Sequence, residues 1–293
     1  MKCGYVALIG QPNVGKSTLL NHVLGQKLSI TSRKPQTTRH LIQGVKTVEQ
    51  GQMIFVDTPG LHSYGKKAMN RYLNRAAASA LAGVDVVVWL VGALAWGEEE
   101  DHILGLLKGV EAPVILVVNK VDKLADKALL LPFLEEVASR FDFADIVPLS
   151  ALQGDNLDAL EQRLLALLPE REPFYPEDQI TDRPERFFVA EIIREKLIRC
   201  LGQELPHAAT VEIEQYKVEG KLVRISALIW VERDGQKAIV IGKDGAMLKK
   251  IGERARHDLE PFLEHKVFLQ LWVKVRKGWA DDERALASLG YQS

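Results

Sequence analysis

The sequence predicts an α/β protein in which a domain with a mostly parallel sheet is followed by a smaller α+β domain. Up to about residue 169, short apolar runs alternate with longer helical patterns, as in a parallel sheet covered by helices on both faces. After a proline-rich stretch, a helical pattern precedes two runs of alternating apolar and polar residues, the period of half-buried strands. A chain of 293 residues is long enough for two such domains.

The first domain is predicted to contain five strands and five helices. Strands are expected where short apolar runs are bounded by turn residues, and helices where apolar residues recur every three or four positions. The predicted strands are residues 6–9, 53–56, 84–91, 113–118 and Asp145–Leu149, and the predicted helices are Lys16–Leu24, 70–81, 98–108, 127–141 and 157–168. Loops that follow parallel strands collect at one edge of the sheet, where ligands bind.

A linker and a second domain are predicted after residue 169. Residues 169–184 carry four prolines among charged side chains, which favours extended backbone. We therefore predict domains at 1–169 and 185–293, joined by a linker at 170–184. The elements expected in the second domain are a helix at 186–201, strands at 209–216 and Leu222–Val231, a short segment around Ile239, a helix from Ala246, a third helical stretch ending near Phe262 and a strand at 267–275.

The composition excludes several classes of protein. With 38 basic and 39 acidic residues, the chain is not a bulk polycation. Its two cysteines, Cys3 and Cys200, are far apart, which indicates neither a disulfide framework nor a zinc site and fits a reducing cytosol. The most apolar run, residues 86–96, is about half the roughly 20 residues that cross a bilayer. We expect a cytoplasmic protein without a signal peptide.

A phosphate-binding loop is predicted at residues 10–17. The sequence GQPNVGKS matches GxxxxGK[ST] between a predicted strand and a predicted helix, the context of a functional phosphate loop. The glycines let backbone N–H groups curl around phosphates, Lys16 meets the β- and γ-phosphates, and the Ser17 hydroxyl reaches Mg²⁺. The predicted contacts are Gly10, Gln11, Pro12, Asn13, Val14, Gly15, Lys16, Ser17 and Thr18.

Two further segments are expected to sense the γ-phosphate. The sequence DTPGL at residues 57–61 follows a predicted strand, so that Asp57 would hold Mg²⁺ through water and a glycine N–H would contact the phosphate. In the polar stretch PQTTR, Thr38 is the predicted Mg²⁺ ligand and Thr37 the alternative. The predicted metal ligands are Ser17, Thr38 and Asp57, and the predicted nucleotide contacts of the second segment are Asp57, Thr58, Pro59, Gly60 and Leu61.

The sequence NKVD at residues 119–122 predicts selectivity for guanine. The Asp122 carboxylate accepts hydrogen bonds from guanine N1 and N2, a pairing that adenine does not offer, while Asn119 fixes the loop and Lys120 lies along the ring. A backbone N–H in the turn after the next strand would meet the guanine oxygen. The predicted base contacts are Asn119, Lys120, Val121, Asp122, Ser150 and Ala151.

The second domain carries a predicted RNA-binding surface. A GxxG turn lies between two helical stretches, and its glycines let the backbone approach nucleic-acid phosphates. Residues 233–256 contain seven basic and three acidic side chains, which favours salt-dependent RNA binding. The predicted RNA contacts are Gly242, Lys243, Asp244, Gly245, Lys249, Lys250, Lys274, Arg276 and Lys277.

Aromatic and basic residues are interleaved near the end of the chain, a mixture that stacks on bases and meets phosphates. Trp272 alternates with apolar strand residues, so we expect it in the core, whereas the pattern does not assign Trp279. An apolar groove for bases is expected to be lined or supported by Ile239, Ile241 and Ile251.

One ordered set of motifs runs along the chain: GQPNVGKS, PQTTR, DTPGL, NKVD and SA, followed by ITDRPERF, AEIIREKL, ELPH, VIGKDG and LWVKVRKGWADDERALASLGY. With this set, the sequence resembles the Era family of bacterial GTPases over essentially the whole chain. The resemblance implies a Ras-like P-loop GTPase domain joined to a type II KH domain, with GTP or GDP and Mg²⁺ as ligands. It also implies binding to the 3′ region of small-subunit ribosomal RNA, action in assembly of the small (30S) ribosomal subunit and rRNA maturation, and peripheral association with the inner membrane. We expect a monomer.

Hydrolysis of GTP depends on positioning and charge stabilisation. Ras-like proteins orient the attacking water with a glutamine just after the sensor motif, and here that position is Leu61, which cannot hydrogen-bond to water. We therefore expect a slow intrinsic rate. The predicted catalytic residues are Lys16, Thr38 and Asn13, with Asn13 binding K⁺ beside the phosphates, a role suggested by the resemblance.

Two alternatives stay open at this point. In the first, the same enzyme acts on another RNA or at the membrane surface. In the second, the chain is an RNA-binding module for which GTP is mainly a structural ligand, an interpretation that the leucine at position 61 permits.

Overall fold

The computed structural model describes residues 1–32, 34, 37–61, 68–202 and 209–288. Apart from residues 67–69, the chain divides into two compact units, with the boundary between Asp182 and Arg183. The first unit is an α/β fold and the second a smaller α+β fold, as predicted.

The first unit contains a six-stranded sheet. Its strands lie in the order β2-β3-β1-β4-β5-β6, and β2 is antiparallel to β3 while the other pairs are parallel. The strands are β1 (Lys2–Gly10), β2 (Ile42–Val48), β3 (Gly51–Asp57), β4 (Val86–Gly92), β5 (Val114–Asn119) and β6 (Asp145–Leu149). The helices are α1 (Lys16–Leu24), α2 (Ala68–Ser79), α3 (Glu98–Leu107), α4 (Leu130–Ala138) and α5 (Leu157–Leu167).

Strand β4 shows why the sequence folds this way. Six consecutive residues, 86–91, are fully buried, as expected for a parallel strand covered on both faces by helices. The ring of Trp89 packs against Trp96, with centroids 5.2 Å apart, in a core cluster that also contains Ile9 and Leu61. This cluster supports the ends of β1 and β4 from which the phosphate loop and its neighbours extend.

Strand β2 was absent from the sequence prediction. Gly44 and the polar residues around it hide the period-two pattern of a strand. The strand forms because it pairs with β3 along its whole length, from Ile42 opposite Asp57 to Val48 opposite Gly51. This long-range pairing is not visible in the local sequence.

Several element bounds also differ from the prediction. Helix α2 begins and ends two residues earlier than expected, and helix α4 covers only the middle of the predicted 127–141 stretch because residues 127–129 form a 3₁₀ turn. The side chain of Asp126 accepts a hydrogen bond from the Ala128 N–H and stabilises that turn.

Most of the predicted linker lies on the first unit, and it includes a turn in which the Gln179 N–H donates to the Pro176 carbonyl at 3.1 Å. The Val45 N–H donates to the Ile180 carbonyl at 2.7 Å, and the Thr181 hydroxyl donates to the Gln43 carbonyl at 2.7 Å. The Gln52 side chain accepts hydrogen bonds from two further linker N–H groups. The stretch from Phe174 to Thr181 is therefore bound to strands β2 and β3.

The second unit has the element order helix, strand, strand, helix, helix, strand, followed by a short helix. Its elements are α6 (Glu185–Cys200), β7 (Ala209–Glu219), β8 (Leu222–Val231), α7 (Asp234–Ile241), α8 (Ala246–Leu263), β9 (Lys266–Val275) and α9 (Glu283–Ser288). The sheet order is β7-β8-β9, with an antiparallel β7–β8 pair and a parallel β8–β9 pair. Helix α8 is one continuous helix, where the sequence predicted two stretches.

Helix α6 carries four buried charged residues, Glu191, Arg194, Glu195 and Lys196. The Arg194 guanidinium donates to Glu191 at 2.7 and 2.6 Å. Lys196 donates to Glu195 at 3.0 Å and also binds Asp258 on helix α8. These charges are paired, which offsets the cost of removing them from water.

The expected position of Trp272 was wrong. Trp272 is 44% exposed, whereas Trp279 is completely buried. In β9 the odd-numbered residues face the core and the even-numbered residues face outward, so alternation turns Trp272 away from the core. Trp279 follows Gly278, whose φ of 67° begins a 3₁₀ turn in which Trp279 and Ala280 are buried.

Candidate nucleotide site and nucleic-acid interface

The phosphate loop lies between β1 and α1 and depends on its glycines. A Cβ at Gly10 would lie 2.4 Å from the Leu90 carbonyl oxygen, and one at Gly15 would lie 2.2 Å from the Asn119 side-chain amide. Both glycines have positive φ, 142° and 111°, a region that other residues rarely adopt. Neither position therefore accepts a side chain, because one would collide with Leu90 and the other with Asn119.

Lys16 is buried inside this loop. Its ammonium group donates to the Gly10 carbonyl at 3.0 Å and to the Gln11 carbonyl at 2.9 Å. Burial lowers the pKa of Lys16 to about 8, although the nearby Asp57 carboxylate opposes the shift. A cation held at low solvation is suited to pairing with phosphate oxygens.

The three predicted Mg²⁺ ligands lie together. The Ser17 hydroxyl is 2.8 Å from the Thr38 hydroxyl and donates to the Asp57 carboxylate at 2.8 Å. The Ser17–Thr38 spacing is close to the edge of about 3 Å between adjacent ligands of an octahedral ion with bonds of about 2.1 Å, and Asp57 would act on the ion through water. The second carboxylate oxygen of Asp57 is buried and has no hydrogen-bond partner among the described residues.

These residues fit Mg²⁺, because hydroxyl and carboxylate oxygens are the ligands it prefers. Burial raises the pKa of the Asp57 carboxyl, while Lys16 and the Ser17 hydrogen bond oppose that shift. The geometry favours Thr38 over the alternative, since the Thr37 hydroxyl instead donates to the Lys34 carbonyl at 2.7 Å. Pro35 and Gln36 of the same motif lie outside the described residues.

The DTPGL segment divides into a structural part and a part that faces the phosphate loop. The Thr58 hydroxyl donates to the Leu8 carbonyl at 2.7 Å, so this side chain holds β1. A Cβ at Gly60 would lie 2.6–2.8 Å from atoms of Pro12, which shows how closely the two loops approach. Pro59 between them is buried.

Leu61 cannot orient a water molecule in this structure. Its side chain is 5% exposed and packs in the core cluster with Ile9 and Trp89. Its N–H donates to the Gly10 carbonyl at 3.3 Å. The side chain thus faces the interior, and a water-orienting group has to come from elsewhere.

Asn119 connects the base-binding motif with two other segments. Its buried amide donates to the Val14 carbonyl at 2.7 Å, and its side-chain oxygen accepts from the Lys120 N–H at 2.7 Å and the Ala151 N–H at 2.9 Å. The predicted role of Asn119, fixing the loop, agrees with this geometry. The Ala151 N–H, a candidate for the guanine oxygen, is bonded to Asn119.

Asp122 and Lys120 are each held by a neighbouring motif. The Ser150 hydroxyl donates to the Asp122 carboxylate at 2.6 Å and orients it. The Lys120 ammonium donates to the Asn13 carbonyl at 2.5 Å, and Val121 lies between the two in a 3₁₀ turn. Burial, and next the nearby Lys123 charge, lower the pKa of Lys120.

A pocket lies between the phosphate loop and the segment that contains Thr37 and Thr38. It is lined by Pro12, Asn13, Gly15, Lys16, Ser17, Thr18, Ile30, Thr31, Ser32, Lys34, Thr37, Thr38 and Gly60. Ile30, Thr31, Ser32 and Lys34 were not predicted as site residues. Their place in the pocket depends on the chain folding back over the loop, for which the local sequence carries no direct signal.

The sequence interpretation missed the contact between Gln11 and Glu100. The Gln11 amide donates to the Glu100 carboxylate at 2.6 Å, and the Gly97 N–H donates to the same carboxylate at 3.0 Å. Burial raises the pKa of Glu100. The run of acidic residues at the start of α3 marks a helix N-terminus, but it does not indicate which carboxylate turns inward.

The GxxG turn of the second unit lies between α7 and α8. Gly242 has φ 75° and ψ 175°, and a Cβ there would lie 2.7 Å from the Met247 Cβ. Gly245 has φ 78°, with open space around its Cα. Lys243 and Asp244 between them are exposed. The turn therefore presents backbone and a lysine to solvent, as expected for a phosphate contact.

Beside the turn, a groove runs between helix α8 and strand β9. It is lined by Gly245, Leu248, Lys249, Gly252, Glu253, Arg256, Val267, Phe268, Leu269 and Leu271. Arg256 was not predicted as an RNA contact, although its helical spacing of seven from Lys249 puts both on one face of α8. Lys250 and Lys274 are exposed but do not line this groove.

The remaining predicted groove residues lie elsewhere. Ile239 is exposed and Ile251 is fully buried in the core, while Ile241 is partly buried against the same core cluster. The apolar lining of the groove comes from three leucines, Val267 and Phe268 instead. Lys277 lines a different pocket, with Arg233 and Asp234, and Arg276 is half-buried.

The described residues were also considered for metal-ligand clusters and for membrane-spanning helices. In the ranges that the structure describes, no group of three or more His, Cys, Asp or Glu side chains is arranged to hold a metal ion. Across the same ranges, no helix combines the length and the apolar character needed to span a bilayer.

Comparison with protein families identifies both units. A family described as "50S ribosome-binding GTPase" matches residues 5–120, and the KH domain family matches residues 204–280. "GTPase Era" of Ectopseudomonas mendocina (strain ymp) is 58% identical over 290 residues, covering 99% of this chain and 97% of the relative. "GTPase Era" of Marinobacter nauticus is 58% identical over 289 residues, covering 99% and 95%.

Solved structures agree over the whole chain. A point variant of Aquifex aeolicus Era bound to GDP·AlF₄⁻ is 40% identical, with a TM-score of 0.97 and full coverage of both chains. Era in complex with MgGDPNP and nucleotides 1506–1542 of 16S ribosomal RNA is 41% identical, again with a TM-score of 0.97 and full coverage.

Proposed function

Because this chain belongs to the Era family of GTPases, it hydrolyses GTP, and we propose that its nucleotide state controls how the KH unit binds the 3′ region of 16S ribosomal RNA. In this proposal the protein promotes assembly of the small ribosomal subunit and maturation of its rRNA. The proposal combines a nucleotide site in the first unit with an RNA groove in the second.

The observation that carries the nucleotide part is the convergence of five separate sequence segments on one site. Ser17, Thr38 and Asp57 come from three segments, and the Ser17 hydroxyl lies within hydrogen-bond distance of both other side chains. Asn119 bonds both the phosphate loop and the turn that contains Ala151. Such agreement between distant segments supports guanine-nucleotide binding rather than a chance motif.

Each residue has a defined role in the proposed reaction. Lys16 neutralises charge on the β- and γ-phosphates, and the Asp122 carboxylate, oriented by Ser150, selects guanine. Ser17, Thr38 and Asp57 would hold Mg²⁺, which supplies charge stabilisation on the phosphate oxygens. Backbone N–H groups of the phosphate loop bind the phosphates and align the bond that breaks.

A monovalent cation is part of the proposal. The Leu61 side chain is buried in the core, so it offers no hydrogen bond to the attacking water. Asn13 is exposed and lines the phosphate pocket with Lys16 and Gly60. We therefore assign K⁺ binding beside the phosphates to Asn13, where the ion would stabilise developing charge.

The K⁺ assignment is tested by GTP hydrolysis in matched potassium and sodium buffers. The rate should be higher in potassium for the wild type, and Asn13→Ala should lose that difference while keeping GDP affinity. Equal rates in both buffers would remove K⁺ and Asn13 from catalysis.

The RNA part rests on the groove and on a relative. Gly245, Lys249 and Arg256 line one groove with the apolar residues of β9, the combination of backbone, charge and apolar surface that binds single-stranded RNA. The 41% identical Era chain forms a complex with MgGDPNP and nucleotides 1506–1542 of 16S rRNA. We carry that RNA target over to this protein.

The function is tested by single-turnover GTP hydrolysis with and without purified small ribosomal subunits. A switch that acts on the subunit should hydrolyse faster when the subunit is present. If GTP were only a structural ligand, the rate would be the same in both reactions, and the switch would be excluded.

We further propose that the protein acts as a monomer in the cytoplasm and associates peripherally with the inner membrane. The support for membrane association is the family resemblance. Sedimentation of cell extracts at low and high salt tests it, because a peripheral protein should leave the membrane fraction when salt is raised.

A further inference from the structure

The outer face of the sheet in the second unit displays an unusual row of side chains. The even-numbered residues of β9 point away from the core. We call them the outer row: Lys266, Phe268, Gln270, Trp272 and Lys274. Phe268 and Trp272 are each 44% exposed. Large aromatic side chains that are exposed together on one face of a sheet are typical of a binding surface.

The order of side chains in the outer row is cation, aromatic, amide, aromatic, cation. Successive members lie two residues apart, or about 6.7 Å along the strand, which is similar to the spacing of nucleotides in an extended single strand. Aromatic rings stack on bases of any sequence, and lysines at both ends meet phosphates. The amide of Gln270 can donate to and accept from a base edge.

The neighbouring strand extends this chemistry. The Arg224 guanidinium of β8 lies 5.1 Å from the centroid of the Phe268 ring, and the Lys274 ammonium lies 6.0 Å from the centroid of the Trp230 ring. Both arrangements are cation–π contacts, which keep the positive charges next to the aromatic surface.

The charge distribution on this face favours a polyanion at β8 and β9. These two strands contain three cations, Arg224, Lys266 and Lys274, and no carboxylate. The acidic residues of the sheet lie on β7, where Glu219 binds Arg224 at 2.7 Å and Glu214 is 3.9 Å from Lys274. Both pairs are solvent-exposed, so phosphate can compete for the cations.

The outer row is continuous with the RNA groove. Phe268 lines the groove together with Gly245 and Lys249, and it also belongs to the outer row. Within the described part of the second unit, β9 is an edge strand that pairs with β8 alone. An RNA strand that leaves the groove can therefore pass over this edge and continue along Gln270 and Trp272.

We propose that the outer row of β9 is a second contact site for single-stranded RNA, on which unpaired nucleotides stack after leaving the GxxG groove. The site is tolerant of base identity, since stacking and phosphate contacts carry it. This inference rests on the RNA-binding function proposed above and adds a surface to it. Trp272 distinguishes this site from the groove, because Phe268 lines the groove and Trp272 does not.

The test compares two fluorescein-labelled RNAs taken from the single-stranded 3′ end of 16S rRNA, one of about five nucleotides and one of about twelve. A KH groove holds about four nucleotides, so the short RNA covers only the groove. Affinities are measured by fluorescence anisotropy with the full-length protein, at one stated salt concentration. Trp272→Ala should weaken binding of the long RNA by about 5- to 150-fold, which corresponds to the loss of one stacked base. The affinity for the short RNA should not change.

Two further variants make the result specific. Trp272→Phe keeps an aromatic ring and should retain most of the affinity for the long RNA. Val218→Ala removes an exposed apolar side chain from β7, on the acidic side of the sheet, and should change neither affinity. Thermal unfolding of each variant checks that the second unit is folded.

The other outcomes overturn the inference in distinguishable ways. Unchanged binding of the long RNA to Trp272→Ala would exclude stacking at Trp272 and overturn the inference. Equal weakening of both RNAs would make Trp272 a support of the groove rather than a separate contact. If the wild type bound neither RNA, the proposed RNA-binding function would fail and this inference with it.

Discussion

At the scale of single residues, the side chain of Asn119 determines how the nucleotide site is assembled. Three hydrogen bonds join its amide to the phosphate loop, to its own motif and to the turn that contains Ala151. A Cβ at Gly15 would collide with the same amide. The glycine of one motif is therefore required by the asparagine of another, a dependence that neither motif reveals alone.

Asp122→Asn should change the preferred nucleotide from GTP to XTP. The amide nitrogen of the asparagine is a hydrogen-bond donor and would face the guanine N2 amino group, which is also a donor. Xanthine has an oxygen at that position, which accepts a hydrogen bond from the amide. Loss of two charged hydrogen bonds of about 1.5–3 kcal/mol each should weaken GTP binding by about two to four orders of magnitude. Competition between GTP and XTP for a fluorescent nucleotide measures the change, and retained guanine selectivity would contradict the role of Asp122.

Ser150→Ala is the matched control for that experiment. It removes the hydrogen bond that orients Asp122 but keeps the carboxylate. We expect a loss of GTP affinity of about 0.5–1.5 kcal/mol, or a few-fold, without a change of preference.

GTP binding should take up protons near pH 8. Burial lowers the pKa of Lys16 to about 8 in the protein without nucleotide, so about half of the molecules carry a neutral lysine at that pH. Bound phosphates favour the charged form and raise the pKa. Calorimetry at pH 8 in two buffers with different heats of ionisation should show uptake of about half a proton. Equal heats in the two buffers would contradict it.

The same shift has a consequence for the stability of the nucleotide-free protein. A lysine whose folded pKa lies below its unfolded value of 10.5 binds fewer protons when folded. Its contribution to the free energy of unfolding therefore rises as pH increases from about 8 to 10.5. GTP affinity changes in the opposite direction, falling above pH 8.

The two glycines of the GxxG turn should respond differently to alanine. Gly245→Ala should lower the free energy of unfolding by about 1–2 kcal/mol, because alanine is strained in a left-handed conformation. Gly242 has a φ and ψ that essentially only glycine adopts, and its Cβ would also collide with Met247. Gly242→Ala should cost about 1–3 kcal/mol more. Denaturant unfolding of the second unit measures both variants, and equal losses would be inconsistent with this geometry.

Contiguous motifs could be predicted from the sequence at this scale, and contacts between motifs could not. Lys16, Thr38 and Asp57 were each identified from local patterns, and the structure brings them together. The Gln11–Glu100 contact and the Thr58–Leu8 contact were not, because they join residues 89 and 50 positions apart. Local composition does not determine which of several acidic or hydroxyl side chains turns inward.

At the scale of elements, helix α6 depends on ion pairs that are shielded from water. Glu195 is completely buried and accepts from both Lys196 and Arg199. Glu195→Ala should leave the buried Lys196 charge with less compensation and cost about 3–5 kcal/mol. The loss appears as a lower denaturation midpoint for the second unit.

The exposed partner pair on β7 serves as the control for this variant. Glu219→Ala removes a carboxylate that binds Arg224 in solvent, and it should leave the midpoint almost unchanged. If both variants behaved alike, burial of the α6 network would have no energetic role.

Element prediction succeeded where the hydrophobic period was strong and failed where pairing decided the structure. The buried strands β4 and β5 are continuous apolar runs, and their positions were predicted closely. Strand β2 is stabilised by its partner β3, so its own sequence carries little strand signal. In β9 the period was identified correctly, but the assignment of faces was wrong at Trp272.

At the scale of the whole molecule, the central question is the coupling between nucleotide and RNA. Protein loaded with a non-hydrolysable GTP analogue and protein loaded with GDP should bind the 16S rRNA 3′ segment with affinities that differ by about 5- to 150-fold, the usual range of coupling between two sites. Binding assays at one fixed salt concentration measure this. Replacing Gly242 and Gly245 by Asp should abolish the difference by removing RNA binding, while equal wild-type affinities would show that the two sites act independently.

Strand β2 has a consequence for the end of the first unit. It begins four residues after Thr38, and its backbone is bonded at Val45 to Ile180, three residues before Arg183. Strand β2 therefore links the backbone near Thr38 to the backbone around Ile180 through one hydrogen-bonded element. The nucleotide site and the last residues of the first unit are thus connected through a single strand.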